Sequence, residues 1–183
     1  MPTKADWRIV KRDHLKIANF DSLFKKKIKN EPEIKPKIYL DTSVISAYWD
    51  NRQPARMDLT RDFWQKINEF EVFISKIVVA EINKWDDPEK KRLITLARNF
   101  EILSVENKRV IHLAEKYIKE KLIPPSQNLD ATHIAVAAVN NIDTLLSWNF
   151  RHIVRKKVRL GVNYINNLLG YNSIEIITPA ELI

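Results

Sequence analysis

Three carboxylates sit among apolar neighbours where a folded chain would not ordinarily place them. Asp41 ends the run Ile38-Tyr39-Leu40 and is followed by Thr42 and Ser43 before apolar residues resume at Val44. Glu81 interrupts Ile77-Val78-Val79-Ala80 and Ile82, and Asp130 opens Asp130-Ala131-Thr132-His133-Ile134-Ala135, which stays apolar to Val139. Singly, each acid has a structural reading. Asp41 can cap the following helix, Glu81 can be solvated or salt-bridged, and Asp130 can be the N-cap of its own helix. Jointly they have a chemical one. Carboxylates gathered in one crevice repel unless a cation sits among them, and oxygen donors without Cys select Mg2+ or Mn2+ over zinc. Such a centre binds phosphate oxygens and activates water for in-line attack on a phosphodiester.

Whether the acids meet depends on the elements that carry them. Short apolar runs predict strands over 38–40, 72–75, 102–105, 144–148 and 174–177. Helical spacing predicts helices over 44–49, 58–70, 76–99 with a break near Asp87-Pro88, 106–122, 130–140 and 158–169. Alternation of this kind implies an α/β fold: a three-layer α/β/α sandwich around a central parallel sheet of about five strands. In a parallel sheet a helix begins at the carboxyl edge when it follows a strand, and a helix leading into the next strand ends at the opposite edge. Asp41 at the end of strand one, Glu81 early in the helix after strand two, and Asp130 at the start of the helix before strand four can therefore all reach the carboxyl edge. Open α/β sheets bind ligands there. Asp143 is no substitute for any of them. It precedes strand four, about 20 Å from Asn149 at about 3.3 Å per residue, and reads as a turn residue.

Composition narrows the classes further. The chain has 183 residues, a net charge of +8, no cysteine and two glycines, Gly161 and Gly170. A P-loop, a G-x-G-x-x-G turn and a G-x-S-x-G nucleophile elbow are thereby excluded, as are Cys-based zinc sites. The longest apolar run, 134–139, is six residues, too short to span a membrane. The N-terminus lacks the apolar core of a secretory signal, and with no cysteine the cytoplasm is the expected compartment. Residues 1–37 hold eleven Lys/Arg against five Asp/Glu, a net +6, so the excess charge belongs to an N-terminal arm. The expected organisation is a basic arm or linker over 1–36, with one amphipathic helix near 18–29 carrying Phe20, Leu23, Phe24 and Ile28, and one domain over 37–183.

The 37–183 region resembles the PIN domain, the metal-dependent ribonuclease fold of many VapC-type toxins of toxin–antitoxin systems. The resemblance is carried by five segments in order: Tyr39-Leu40-Asp41-Thr42-Ser43-Val44-Ile45, Val79-Ala80-Glu81-Ile82, Asp130-Ala131-Thr132-His133-Ile134-Ala135, Leu145-Leu146-Ser147-Trp148-Asn149-Phe150-Arg151-His152-Ile153, and Ile174-Glu175-Ile176-Ile177-Thr178-Pro179-Ala180-Glu181-Leu182. It implies that Asp41, Glu81 and Asp130 are the catalytic acids that bind Mg2+ or Mn2+, and that Ser43 helps to orient the attacking water. Many relatives carry a fourth acid where this chain has Asn149, which offers a carbonyl oxygen or holds a water but contributes no charge. The resemblance further implies a single-stranded RNA substrate, a cognate antitoxin protein and a homodimer, with Val44, Ala47, Tyr48 and the 58–70 helix as candidate dimer surface. The alternative is a catalytically weak or inactive RNA-binding protein of the same fold.

The remaining polar and aromatic residues carry weaker signals. His133, three residues after Asp130, and His152, just after Asn149, can touch a phosphate, but the better reading of each is a packed, hydrogen-bonded histidine. Arg52, Arg56 and Arg61 flank the first acid and can bind a phosphate backbone or simply be solvated. Trp148 is expected to pack in the core.

Overall fold

The computed structural model describes residues 34–86 and 88–183. The expected helix near 18–29 lies outside the described residues. Five strands are found: β1 (Lys37–Leu40), β2 (Glu71–Ser75), β3 (Glu101–Leu103), β4 (Thr144–Leu146) and β5 (Glu175–Ile177). Among the described residues there are eight α-helices: α1 (Thr42–Ala47), α2 (Pro54–Gln65), α3 (Lys76–Ile82), α4 (Glu89–Ala97), α5 (Lys108–Lys119), α6 (Asn128–Val139), α7 (Lys156–Leu168) and α8 (Pro179–Leu182).

The sheet is parallel throughout, in the order β3-β2-β1-β4-β5. From β1 the chain moves outward to β2 and β3, then returns across β1 to β4 and β5. Right-handed crossovers therefore place α1–α4 on one face and α5–α7 on the other. The packing agrees: α1 lies against α2 and α4, α3 against α4, while α5 packs on α6 and α7. This is the expected three-layer α/β/α sandwich. The reversal falls between β1 and β4, so the crevice outside their carboxyl ends is the topological switch point of the sheet. Asp41 is the first residue beyond β1.

The central strands are apolar because both faces are covered. Ile38, Tyr39 and Leu40 of β1 and Leu145 and Leu146 of β4 are fully buried. Helix α6 is buried nearly all round, from Ala131 to Val139 apart from Thr132, and its small residues let it pack closely along α5. No helix among the described residues is long and apolar enough to cross a membrane.

Several boundaries differ from expectation for identifiable reasons. Helix α2 starts at Pro54, which sits in its first turn where a missing N–H costs nothing. The 76–99 stretch does break near Pro88 as expected, into two helices with Pro88 at the N-cap of the second. Strand β4 stops at Leu146 rather than Trp148, because the Trp148 N–H turns to the Ser43 hydroxyl (2.9 Å). Helix α6 begins at Asn128, so Asp130 is its third residue and not its cap. Asp143 lies at the opposite edge of the sheet, where its carboxylate accepts the Lys37 N–H (2.7 Å). Val44 and Ala47 are fully buried on the inner side of α1, so they cannot form the dimer surface expected of them. Tyr48 is half-buried, edge-on to Trp64 at 5.3 Å between ring centroids.

Candidate metal centre

Asp41 has the extended backbone of an N-cap (φ −70°, ψ 153°), yet its side chain makes no cap hydrogen bond. Its N–H continues the ladder to the Leu146 carbonyl (3.1 Å), which turns the carboxylate into the crevice. There the Ser43 and Ser147 hydroxyls both donate to Asp41 Oδ2, each at 2.7 Å. Ser43 Oγ in turn accepts the Trp148 N–H and Ser147 Oγ accepts the Asn149 N–H, each at 2.9 Å. One carboxylate oxygen is thus held by two charge-assisted bonds, and Oδ1 is left facing the other acids. The capping reading of Asp41 is set aside by this geometry.

Glu81 is half-buried on α3, and its Oε2 accepts a short hydrogen bond from the Thr42 hydroxyl. Burial pushes the Glu81 carboxyl up, but the nearby His133 imidazole and Thr42 outweigh it and hold it below the usual carboxylate range. Asp130 Oδ1 accepts from the Asn149 side-chain amide (3.2 Å). Its Oδ2 is buried with no hydrogen-bond partner. Burial, reinforced by the charge of Asp41, raises the Asp130 carboxyl above its ordinary value. The Asn149 carbonyl oxygen accepts the His152 N–H (3.0 Å), so both ends of that amide are committed.

His133 is the residue that sequence reasoning undervalued. It is packed, as expected, with Nδ1 2.6 Å from the Tyr39 hydroxyl, which lies 2.7 Å from Ser75 Oγ. But its Nε2 faces the acids, 3.6 Å from Glu81 Oε2 and 3.8 Å from Asp41 Oδ1. Burial lowers the imidazole's proton affinity. The Glu81 contact and the charges of Asp41 and Asp130 more than offset that, so its pKa stands above the ordinary value. The available signal was the i, i+3 spacing from Asp130. Ser147 was missed as well; a hydroxyl inside an apolar strand was its only signal.

Asp41, Ser43, Glu81, Asp130, His133 and Asn149 line one open groove of about 660 Å³, with Lys84 beside them. All five residues expected at the site come to this groove. Asp41, Glu81 and His133 each offer a ligand atom within 4.8 Å of the others. Asp130, whose Oδ2 has no hydrogen-bond partner, lines the same groove outside that group of three, and the donors gathered there fit a divalent cation. The flanking arginines are engaged elsewhere. Arg52 Nε reaches Asp50 Oδ1 at 2.7 Å, Arg56 also pairs with Asp50, and Arg61 donates to the Tyr48 carbonyl (3.1 Å). Trp148 is buried, its indole N–H donating to Thr60 Oγ1 (2.9 Å).

A doubly wound parallel sheet with acids gathered at its switch point defines the class of protein. A family model of the PIN domain matches residues 38–154, and the chain belongs to that family. Among solved structures it is similar to a chain of VapBC2 from Rickettsia felis, solved bound to a DNA fragment from their promoter. That likeness has 17% identity and a TM-score of 0.49, and covers 76% of this chain and 96% of that chain. No curated protein matches the chain.

Proposed function

We propose that this protein is a metal-dependent endoribonuclease that hydrolyses single-stranded RNA in the cytoplasm, as the toxin of a type II toxin–antitoxin pair. The observation that carries the proposal is the meeting of Asp41, Glu81 and Asp130 in one groove at the sheet's switch point. PIN domains are generally nucleases, and the five motif segments resemble VapC-type toxins.

In this reading Asp41, Glu81 and Asp130 hold Mg2+ or Mn2+. A cation there supplies Lewis acidity toward a phosphate oxygen and makes water a nucleophile near neutral pH. The chain's own residues prepare the place. Ser43 and Ser147 fix one oxygen of Asp41, Thr42 fixes one of Glu81, and Asn149 fixes one of Asp130. Asp41 Oδ1 and Glu81 Oε2 are then held near His133 Nε2, at 3.8 and 3.6 Å, without reorganising during the reaction. Ser43 and Asn149 line the groove where they can position water or substrate, and Lys84 lines it together with Asp86 and Glu89. The proposed partners are the RNA, a cognate antitoxin protein and a second copy of the chain, on a face other than Val44 and Ala47.

The test is cleavage of single-stranded RNA with Mn2+, with chelator and Asp41→Asn as controls. Cleavage that persists unchanged in Asp41→Asn refutes the mechanism. One observation favours a second reading, a binder of RNA with little or no turnover: Asn149 stands where many relatives have a fourth acid, and both ends of its amide are engaged. Salt-dependent RNA binding without cleavage under any divalent ion selects that reading.

A further inference from the structure

We propose that His133 is a nitrogen ligand of the metal centre, held in the ligating tautomer by Tyr39 and Ser75, and that it shifts the site's preference from Mg2+ toward Mn2+. The inference rests on the metal-centre reading of the groove. It begins with two distances. His133 Nε2 lies 3.6 Å from Glu81 Oε2 and 3.8 Å from Asp41 Oδ1. An N–H donating to a carboxylate closes to about 2.7–3.2 Å, so neither distance is that of a formed hydrogen bond. Ligand atoms sharing one small cation at about 2.1 Å stand about 3 to 4 Å from one another, and both distances fall in that range.

The hydrogen bonds on the other side of the ring accommodate a free Nε2. The Tyr39 hydroxyl has one proton and two neighbours, Ser75 Oγ at 2.7 Å and His133 Nδ1 at 2.6 Å. When Tyr39 donates to Ser75, its oxygen accepts from Nδ1–H. The neutral imidazole then presents the Nε2 lone pair to the two acids. Ring N–H groups anchored away from a metal in this way are the usual support of a ligating histidine. All three residues are buried, Tyr39 and Ser75 fully and His133 to 1% exposure, so no solvent competes for these bonds. Helix α6 presents His133 and Asp130 three residues apart, on one face. An imidazole among carboxylates favours transition-series divalent ions over Mg2+, which prefers oxygen alone.

The experiment is electron spin-echo envelope modulation of Mn2+ bound to the full chain, with Mn2+ and Mg2+ affinities measured in parallel. Wild type is expected to show the modulation of a directly bound imidazole nitrogen. His133→Gln is expected to bind Mn2+ without it and to lose about tenfold of the Mn2+ over Mg2+ preference. Tyr39→Phe keeps the imidazole but removes its anchor. It should retain the modulation and weaken Mn2+ about tenfold, which keeps the test decisive even if His133→Gln fails to fold. Bound Mn2+ with no nitrogen modulation in wild type, or modulation that survives in His133→Gln, overturns the assignment of His133 and leaves the metal centre standing. Failure of wild type to bind Mn2+, or undiminished binding by Asp41→Asn, overturns the metal centre and this inference with it.

Discussion

Restoring the missing acid is the most informative perturbation. In Asn149→Asp, a carboxylate replaces the amide nitrogen that lies 3.2 Å from Asp130 Oδ1. Two full charges at that separation repel by about 5 kcal/mol at an effective dielectric of about 20, and by less where the open groove admits water. The repulsion has a ceiling, because holding one of the carboxyls protonated at neutral pH costs only about 4 kcal/mol. A hydrogen bond to Asp130 is lost as well. Without metal, the variant is expected to be about 2 to 4 kcal/mol less stable than wild type, a fall of about 5 to 15 °C in Tm for a domain of this size. Asn149→Ala, which loses the hydrogen bond and adds no charge, isolates the electrostatic part. A divalent cation reverses the sign, since the added carboxylate becomes one more anionic donor. Melting curves in chelator and across a Mn2+ series at neutral pH read both effects. Mn2+ should raise the Tm of Asn149→Asp more than that of wild type, and that of Asn149→Ala no more than wild type. Equal stability in chelator, or equal Mn2+ shifts in the three proteins, refutes the geometry assigned to Asn149 and Asp130.

Other outcomes follow from the same contacts. Ser147→Ala removes one of the two hydroxyls on Asp41 Oδ2 and strands the Asn149 N–H; equilibrium denaturation should show a loss of about 1 to 3 kcal/mol, and titration a Mn2+ affinity about tenfold lower. Because burial and the Asp41 charge raise the Asp130 carboxyl, protons compete for this proposed ligand at a higher pH than for an ordinary aspartate. Calorimetric titration should find divalent-ion affinity falling as the pH is lowered through the mildly acidic range, with proton release on binding. Tyr117→Phe leaves the buried Asn166 carbonyl without its donor and is expected to cost about 1 to 3 kcal/mol, read by denaturant unfolding. Gly170 ends α7 at φ +77° with nothing near its Cα face, so Gly170→Ala should cost about 1 kcal/mol from backbone strain alone.

The sheet was legible because its strands are short apolar runs separated by helical patterns, and the acids were legible because they break those patterns. Periodicity does not carry side-chain direction beyond its own element. Whether Asp130 capped α6 or entered its first turn turned on two residues, Asn128 and Leu129, that have no distinctive signal. The end of β4 was misplaced for a different reason. Trp148 has strand propensity, but its N–H is taken by Ser43, a contact across 105 positions of sequence. His133 was read as packing because a histidine in such a helix is more often packed and hydrogen-bonded than not, and its Tyr39 contact is of that kind. Its second face depends on where β1 and α3 bring their carboxylates, which no local pattern encodes.

The separation between the partners of the groove has a consequence for the chain as it is made. Asp41 is held by Ser147, 106 residues further on, and Asp130 by Asn149. A nascent chain that has emerged only as far as α5 carries two of the acids with neither Asp130 nor the hydroxyl that completes the hold on Asp41. It is inert toward any substrate that needs all three, however well its early strands have paired. The same arithmetic makes the domain a natural split reporter. Cleaved in the exposed loop around Glu106, between β3 and α5, it yields one fragment with Asp41 and Glu81 and another with Asp130, Ser147 and Asn149. Neither half holds all the residues of the proposed centre, so recovery of the divalent-ion binding proposed for it would, on mixing, measure their reassembly.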